Sequence, residues 1–405
     1  MNKQTVIVSI IGVASAVAFG AGWLLVLPPL MAGGGAGLAY ALLRWTASNL
    51  RRRRRRPDQP AATPKPLLRQ PAKPVNPNDV EGLVERMLAQ QRYTLLLRPQ
   101  IARGLDERQL ARATAALEEA MALVPDGEVV LGAIDEALDD GELEPEEIEA
   151  CAGRVIRVEP FFLDRYTVTN REFHELVLAG CYCDISLWDE RVWSAVLEFV
   201  DQTGQSGPRF WKDGTYEPGK DDHPVVGVSW YEANAYARWL GKRLPTDAEW
   251  VKAGSWPVNL SANTRVQRRY PWGNTMDRSR ANLWGSGPYT TVAVVQFPDG
   301  VSVGGVYQLI GNVWEWTRGN LGVGDPTHRD LVAEPPMKSI RGGAFDTYFD
   351  NQATCQFQSG ETPVARKRNI GFRCAVGICD LVLAPAGGES ATTELEEESV
   401  EEVQA

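Results

Sequence analysis

The spacing of apolar positions changes several times along the chain, and each change marks a segment. No charged residue lies between Lys3 and Arg44; Val6 to Leu27 is the longer apolar stretch there, and Met31 to Leu43 is shorter and rich in Gly and Ala. One membrane span needs about 20 apolar residues. Residues 1–50 therefore predict a transmembrane anchor, either one span or a hairpin turning at Pro28-Pro29. A cleaved signal peptide is the competing reading, but the stretch is long and ends in an arginine block. From Val80 the period is helical, with Val80, Leu83, Val84, Met87 and Leu88 on one face. Asp106 and Gln109 suit a capping box, and Leu105 with Leu110 suits a hydrophobic staple. They open a second helix whose stripe is Leu110, Ala113, Leu117 and Met121, ended by Pro125-Asp-Gly127. Thr169 with Glu172, Ser229 with Glu232, and Thr246 with Glu249 predict further boxed helices, stopped by Gly180, Gly241 and Gly254. The short apolar runs Val225–Val228 and Val292–Phe297 read as strands. Short helices, short strands and much loop make an α+β pattern.

Charge and composition divide the chain. Residues 51–78 form a linker, first Arg51–Arg56 and then a stretch rich in proline, which makes an extended spacer. Residues 79–150 form a helical segment, read as a docking or stalk element, and 155–379 one globular domain. Residues 380–405 form an acidic tail that reads as disordered. All thirteen tryptophans except Trp23 and Trp45 lie between Trp188 and Trp316, as expected where large rings pin long loops. Net charge is −10, yet Arg44 and Arg51–Arg56 outweigh Lys3 across the apolar stretch. The positive-inside rule then places the large C-terminal domain in the cytoplasm, at the cell (inner) membrane. No aromatic residues are interleaved with the arginines, so a nucleic-acid partner is not expected.

Candidate chemistry is sparse. Six cysteines in 405 residues do not suggest a disulfide framework, and Cys181-Tyr-Cys183 is too tight for a metal knuckle. The three histidines, His174, His223 and His328, lack metal-site spacing. The acidic stretch around Asp140-Gly141 resembles a calcium loop in which Leu138 occupies a ligand position and cannot ligate.

A series of short motifs resembles one family. In order they are Tyr166-Thr-Val-Thr-Asn170, His223 to Trp230, Gly241 to Trp250, Tyr270-Pro-Trp-Gly-Asn274 and Ala281-Asn282. Gly311-Asn-Val-Trp-Glu-Trp316, Arg341-Gly-Gly343 and Gly371-Phe-Arg-Cys374 complete it. Together they resemble the sulfatase-modifying-factor family, of the formylglycine-generating enzyme type. The resemblance implies a compact C-type-lectin-like fold and oxidation of a sulfatase cysteine to formylglycine by a copper-binding cysteine pair. Thr347 and Gln352 stand at those two cysteine positions, and Ala344 replaces a serine. Copper(I) prefers thiolates, so copper is not expected, and Cys355 is the nearest thiol along the chain. The resemblance also implies calcium held by Gln308, the carbonyls of Gly311 and Val313, and Glu315. A second site would begin at Asn282 and Leu283, with its aspartate partner missing. Asp346, Tyr348, Phe349, Asp350, Asn351 and Gln352 fall where the family has its peptide groove. The expected function is a membrane-anchored, non-oxidase module that binds a peptide, protein or small ligand. The alternative is an enzyme of the family with altered chemistry, using Cys355 or a further metal.

Overall fold

The computed structural model describes residues 79–132, 153–261, 264–322 and 336–385. The chain divides into units Met1–Gln70 and Pro71–Ala405, and all the described residues belong to the second. The anchor expected over 1–50, the linker 51–78, the acidic stretch at Asp140-Gly141, His328 and the acidic residues from 386 onward lie outside the described residues. Among those described, no helix is long and apolar enough to cross a membrane.

The fold mixes helices and strands. Helices α1 (Val80–Ala89), α2 (Tyr93–Leu96), α3 (Pro99–Ala102) and α4 (Glu107–Ala120) come first. Strands β1 (Met121–Val124), β2 (Gly127–Leu131), β3 (Arg154–Val158) and β4 (Phe161–Asp164) follow. Then come α5 (Asn170–Leu178), α6 (Trp193–Val196), α7 (Trp230–Trp239) and α8 (Asp247–Ser255). The remaining strands are β5 (Val258–Ser261), β6 (Thr264–Val266), β7 (Trp314–Asn320), β8 (Lys338–Arg341), β9 (Gln358–Glu361), β10 (Ile370–Gly371) and β11 (Ala375–Gly377). One sheet has the order β1-β4-β11, and another has β10-β7-β8-β9 with β10 and β7 parallel.

Local chemistry sets the helix starts. Asp106, Thr169, Ser229 and Thr246 each accept a bond from the backbone N–H three residues on, and Gln109, Glu172, Glu232 and Glu249 return it. Each such cap is worth about 1 kcal/mol. Gly180 and Gly241 stand at φ of 73° and 75°, the left-handed backbone expected of a helix stop. Gly254 does not stop α8. The helix continues to Ser255, and Trp256 takes the left-handed position at φ 43°. A Cβ at Gly254 would lie 2.9 Å from the sulfur of Cys355, so close packing is what this glycine serves.

Three further expectations are corrected. Val225–Val228 and Val292–Phe297 are buried or half-buried loops for the most part, not strands. Their backbones bond to other loops and side chains: Val225 N–H to the Val168 carbonyl, Gly227 N–H to that of Lys367, Val292 N–H to Asn312 Oδ1. An apolar run reports burial, and here burial is achieved without a ladder. Third, of the 79–150 segment read as a docking or stalk element, the described part, residues 79–132, is docked on the domain rather than standing off it as a stalk. Met121–Val124 leaves α4 and pairs antiparallel with Phe161–Asp164, so β1 is a sheet edge of the domain. Val84, Tyr93, Leu96, Leu97, Leu117 and Met121 pack with Phe162 and Val376 in one cluster. Each fully buried side chain of this kind is worth about 1.5–3 kcal/mol. Thr94 bonds to the Leu240 carbonyl, and Arg98 donates to that of Gly241 at 2.6 Å.

Among the described residues, four buried ion pairs fasten the loops of the domain. They are Lys242–Asp164, Arg341–Asp247, Arg366–Glu232 and Arg373–Glu315. Removing one partner from such a pair costs about 3–5 kcal/mol, because the other charge is left buried alone.

Candidate functional site

The surface after β8 is built from Arg341 outward. Its guanidinium is fixed by Asp247 Oδ1 at 2.5 Å and by the Gln356 carbonyl at 2.9 Å. Gly342 and Gly343 follow at φ of 96° and 74°, and a Cβ at Gly342 would stand 2.3 Å from the Leu309 carbonyl oxygen. Glycine is required there to turn the chain out to the surface. Thr347 closes the turn: its hydroxyl accepts from Ala344 N–H at 2.8 Å, and both residues are buried.

Tyr348 and Phe349 then point outward. Each is 61% exposed, and their rings meet edge to face with centroids 5.2 Å apart. On the neighbouring loop Trp284 and Tyr289, also exposed, form a second edge-to-face pair at 4.9 Å. The loops are tied together. Trp284 N–H donates to the Thr347 carbonyl at 3.2 Å, and Arg278 donates to the carbonyls of Trp284 and Tyr348 and pairs with Asp350. Asn369 Nδ2 lies 3.1 and 3.0 Å from the two carboxylate oxygens of Asp346. Tyr289 holds a φ of 59°, a strained conformation for a bulky residue. The arrangement is a pre-ordered aromatic surface with polar edges. Of the six groove residues expected from sequence, Asp346, Tyr348, Phe349, Asp350 and Asn351 are exposed and Gln352 is half-buried. Asp346 and Asp350 brace the loop. Trp284, Tyr289 and Arg278 were not singled out from sequence, because only the fold brings their loop beside 344–352.

The two positions where the family resemblance expects thiolates hold a buried, hydrogen-bonded threonine and a glutamine. Cys355, the nearest thiol along the chain, is fully buried against Gly254 of α8. These residues do not fit a copper(I) site. Cys374 is also fully buried, and desolvation pushes its thiol well above the usual range. His174 packs on Trp211 and Tyr216, and His223 Nδ1 lies 3.1 Å from Thr291 Oγ1.

The residues expected to hold calcium are committed elsewhere. Glu315 takes Arg373 through both oxygens, each at 2.7 Å, and Trp250 Nε1 at 2.8 Å, with no exposure of either charged side chain. A guanidinium so placed already supplies the positive charge a cation would bring. Gln308 Oε1 accepts from Asn312 Nδ2 at 2.7 Å, and the Gly311 carbonyl accepts from Val313 N–H at 2.9 Å; Val313 itself is buried. As arranged, these residues do not fit calcium. At the second position Asn282 Oδ1 is buried without a partner, but the Leu283 carbonyl is taken by Ser286. No group of three or more His, Cys, Asp or Glu suited to a metal occurs among the described residues. The signal for Arg373 was in the sequence, in Gly371-Phe-Arg-Cys374; its partner across 58 positions was not.

Comparison with known proteins places this geometry. The sulfatase-modifying factor enzyme 1-like domain model matches residues 107–378. A formylglycine-generating enzyme of Thermomonospora curvata is 31% identical over 307 residues, which is 65% of this chain and 95% of that protein. The inactive C-alpha-formylglycine-generating enzyme 2 of Bos taurus is 31% identical over 256 residues, 55% of this chain and 79% of that protein. Among solved structures, PvdO from Pseudomonas aeruginosa is 22% identical with a TM-score of 0.39, covering 63% of this chain and 93% of that one.

Proposed function

This chain belongs to the sulfatase-modifying-factor family, and from that membership we propose that it is a non-oxidase member, a membrane-anchored module that binds a peptide or protein segment. One observation carries the reading. The turn on which the family resemblance expects the copper thiolates is closed here by Thr347, and the chain that follows displays aromatic rings instead. Rigid aromatics present contact area at small entropic cost, and polar groups at their edge give register. Tyr348, Phe349, Trp284 and Tyr289 supply the area; Asn351 and Gln352 supply amide donors and acceptors. A relative that is itself named inactive supports the loss of the oxidase. Cys355, on which altered oxidase chemistry would rest, is shut inside the core.

The resemblance implies a C-type-lectin-like scaffold for this surface. The apolar stretch within residues 1–50 and the Arg51–Arg56 block support a location of the domain at the cytoplasmic face of the cell membrane. Two measurements test the proposal. Panning the purified full-length chain against displayed random linear peptides enriches sequences that the Tyr348→Ser/Phe349→Ser protein no longer retains. Equal retention by both proteins overturns the assigned surface. Fractionation of cells making the full chain recovers it with membranes, with the domain digested only after the cytoplasmic side is opened; digestion of intact cells overturns the orientation.

A further inference from the structure

Away from the aromatic surface, where α1, α2 and α4 meet the β4 end of the domain, lies a cavity of ≈ 410 Å³. Tyr93, Tyr166 and Tyr236 contribute rings to its wall, and Glu119, Glu172, Asp164 and Lys242 contribute charge. We propose that this cavity binds a small organic cation carrying a primary ammonium, with Glu172 and Tyr236 as its acceptors.

The charge balance comes first. Lys242 is already neutralised: its ammonium donates to Asp164 Oδ1 at 2.7 Å and to the Tyr93 hydroxyl at 2.8 Å. Arg165, next along the chain from Asp164, turns its guanidinium to the carbonyls of Glu118, Glu119 and Gly305 and is not in the wall. The carboxylates of Glu172 and Glu119 therefore leave the cavity net negative. Glu172 caps α5 through Oε2 alone, which takes both the N–H and the hydroxyl of Thr169. Its second oxygen stands outside the capping box.

A second, independent observation points to a ligand. Tyr236 is 2% exposed and lines the cavity, and its hydroxyl, which bonds to no described residue, opens onto the cavity rather than lying sealed in the core. A hydroxyl so placed takes its partner from whatever fills the cavity. Burial also keeps this phenol neutral, so it offers an acceptor lone pair rather than a charge. An ammonium satisfies the phenol and the carboxylate together, and tyrosine faces attract a cation. The volume lies in the range of small-molecule sites.

The probe is 2-phenylethylamine, titrated calorimetrically into the purified full-length chain, with 2-phenylethanol and 3-phenylpropionate as neutral and anionic counterparts. The amine binds saturably, and its counterparts bind at least about tenfold more weakly. Glu172→Gln keeps a cap acceptor and a folded protein by thermal unfolding, but raises the Kd for the amine about tenfold or more. Tyr236→Phe, which keeps the ring, raises it severalfold. Absence of saturable amine binding, equal binding of the alcohol, or unchanged affinity in a folded Glu172→Gln protein overturns the assignment.

Discussion

Phe349→Ala separates recognition from folding more cleanly than any other substitution at the aromatic surface. The ring is 61% exposed, on a loop whose geometry rests on Arg278, Thr347 and the two glycines before it. A phenylalanine side chain covers about 200 Å², so about 120 Å² of it is open to a partner. At about 25 cal/mol per Å² a peptide that covers all of it gains at most about 3 kcal/mol from this ring. Partial cover halves that, which puts the expected loss at about tenfold to a hundredfold in Kd. Folding loses far less, because the loop is anchored elsewhere and surface truncations away from such anchors cost about 0.5 kcal/mol. The assay is fluorescence anisotropy of a labelled peptide enriched on the wild-type chain, run beside thermal unfolding of both proteins. A variant that unfolds at the wild-type temperature and binds within about threefold of wild type would refute the assignment of this ring to the binding surface.

Other consequences follow from the buried chemistry. Glu315→Gln strands the Arg373 guanidinium and lowers unfolding free energy by about 3–5 kcal/mol in a denaturant titration. A chelator leaves the wild-type melting temperature unchanged, whereas a rise with added calcium would show that the ion displaces Arg373. Gly254→Ala places a methyl against the Cys355 sulfur and costs about 1–3 kcal/mol despite alanine's better helix propensity, and Cys355→Ala in the same chain recovers part of it. Burial pushes the Cys181 thiol up to about 11 and the Tyr93 phenol up to about 12. The unfolded chain ionises both groups at their ordinary, lower values, so their stabilising effect is complete below about pH 9 and is lost as pH rises through 9 to 12. Stability measured from pH 8 to 11 should therefore fall, and less steeply in Cys181→Ala.

What could be read from the chain alone was what depends on neighbours in sequence. The capping boxes at Asp106, Thr169, Ser229 and Thr246 lie where expected because each uses only four consecutive residues. Tyr348 and Phe349 were legible because they follow the Arg341-Gly-Gly343 motif, where the family resemblance has its peptide groove. The misread strands and the misread end of the α4 stripe share one cause, that apolar spacing reports burial rather than conformation. Met121 completes a helical stripe and is fully buried, but it is buried as the first residue of β1. Val225–Val228 is buried as a loop between Val168 and Lys367. Long-range partners left no local trace. Nothing beside Glu315 in sequence announces Arg373, and nothing near Thr347 announces Trp284.

The loss of the oxidase is the central claim, and one reaction tests it most directly. The purified full-length chain is loaded with copper(I) and incubated under oxygen with a sulfatase-type cysteine peptide, which is then weighed by mass spectrometry. With Thr347 and Gln352 in place of thiolates, the peptide thiol is recovered intact. Conversion of that cysteine to the aldehyde, dependent on the protein and on copper, would contradict the account.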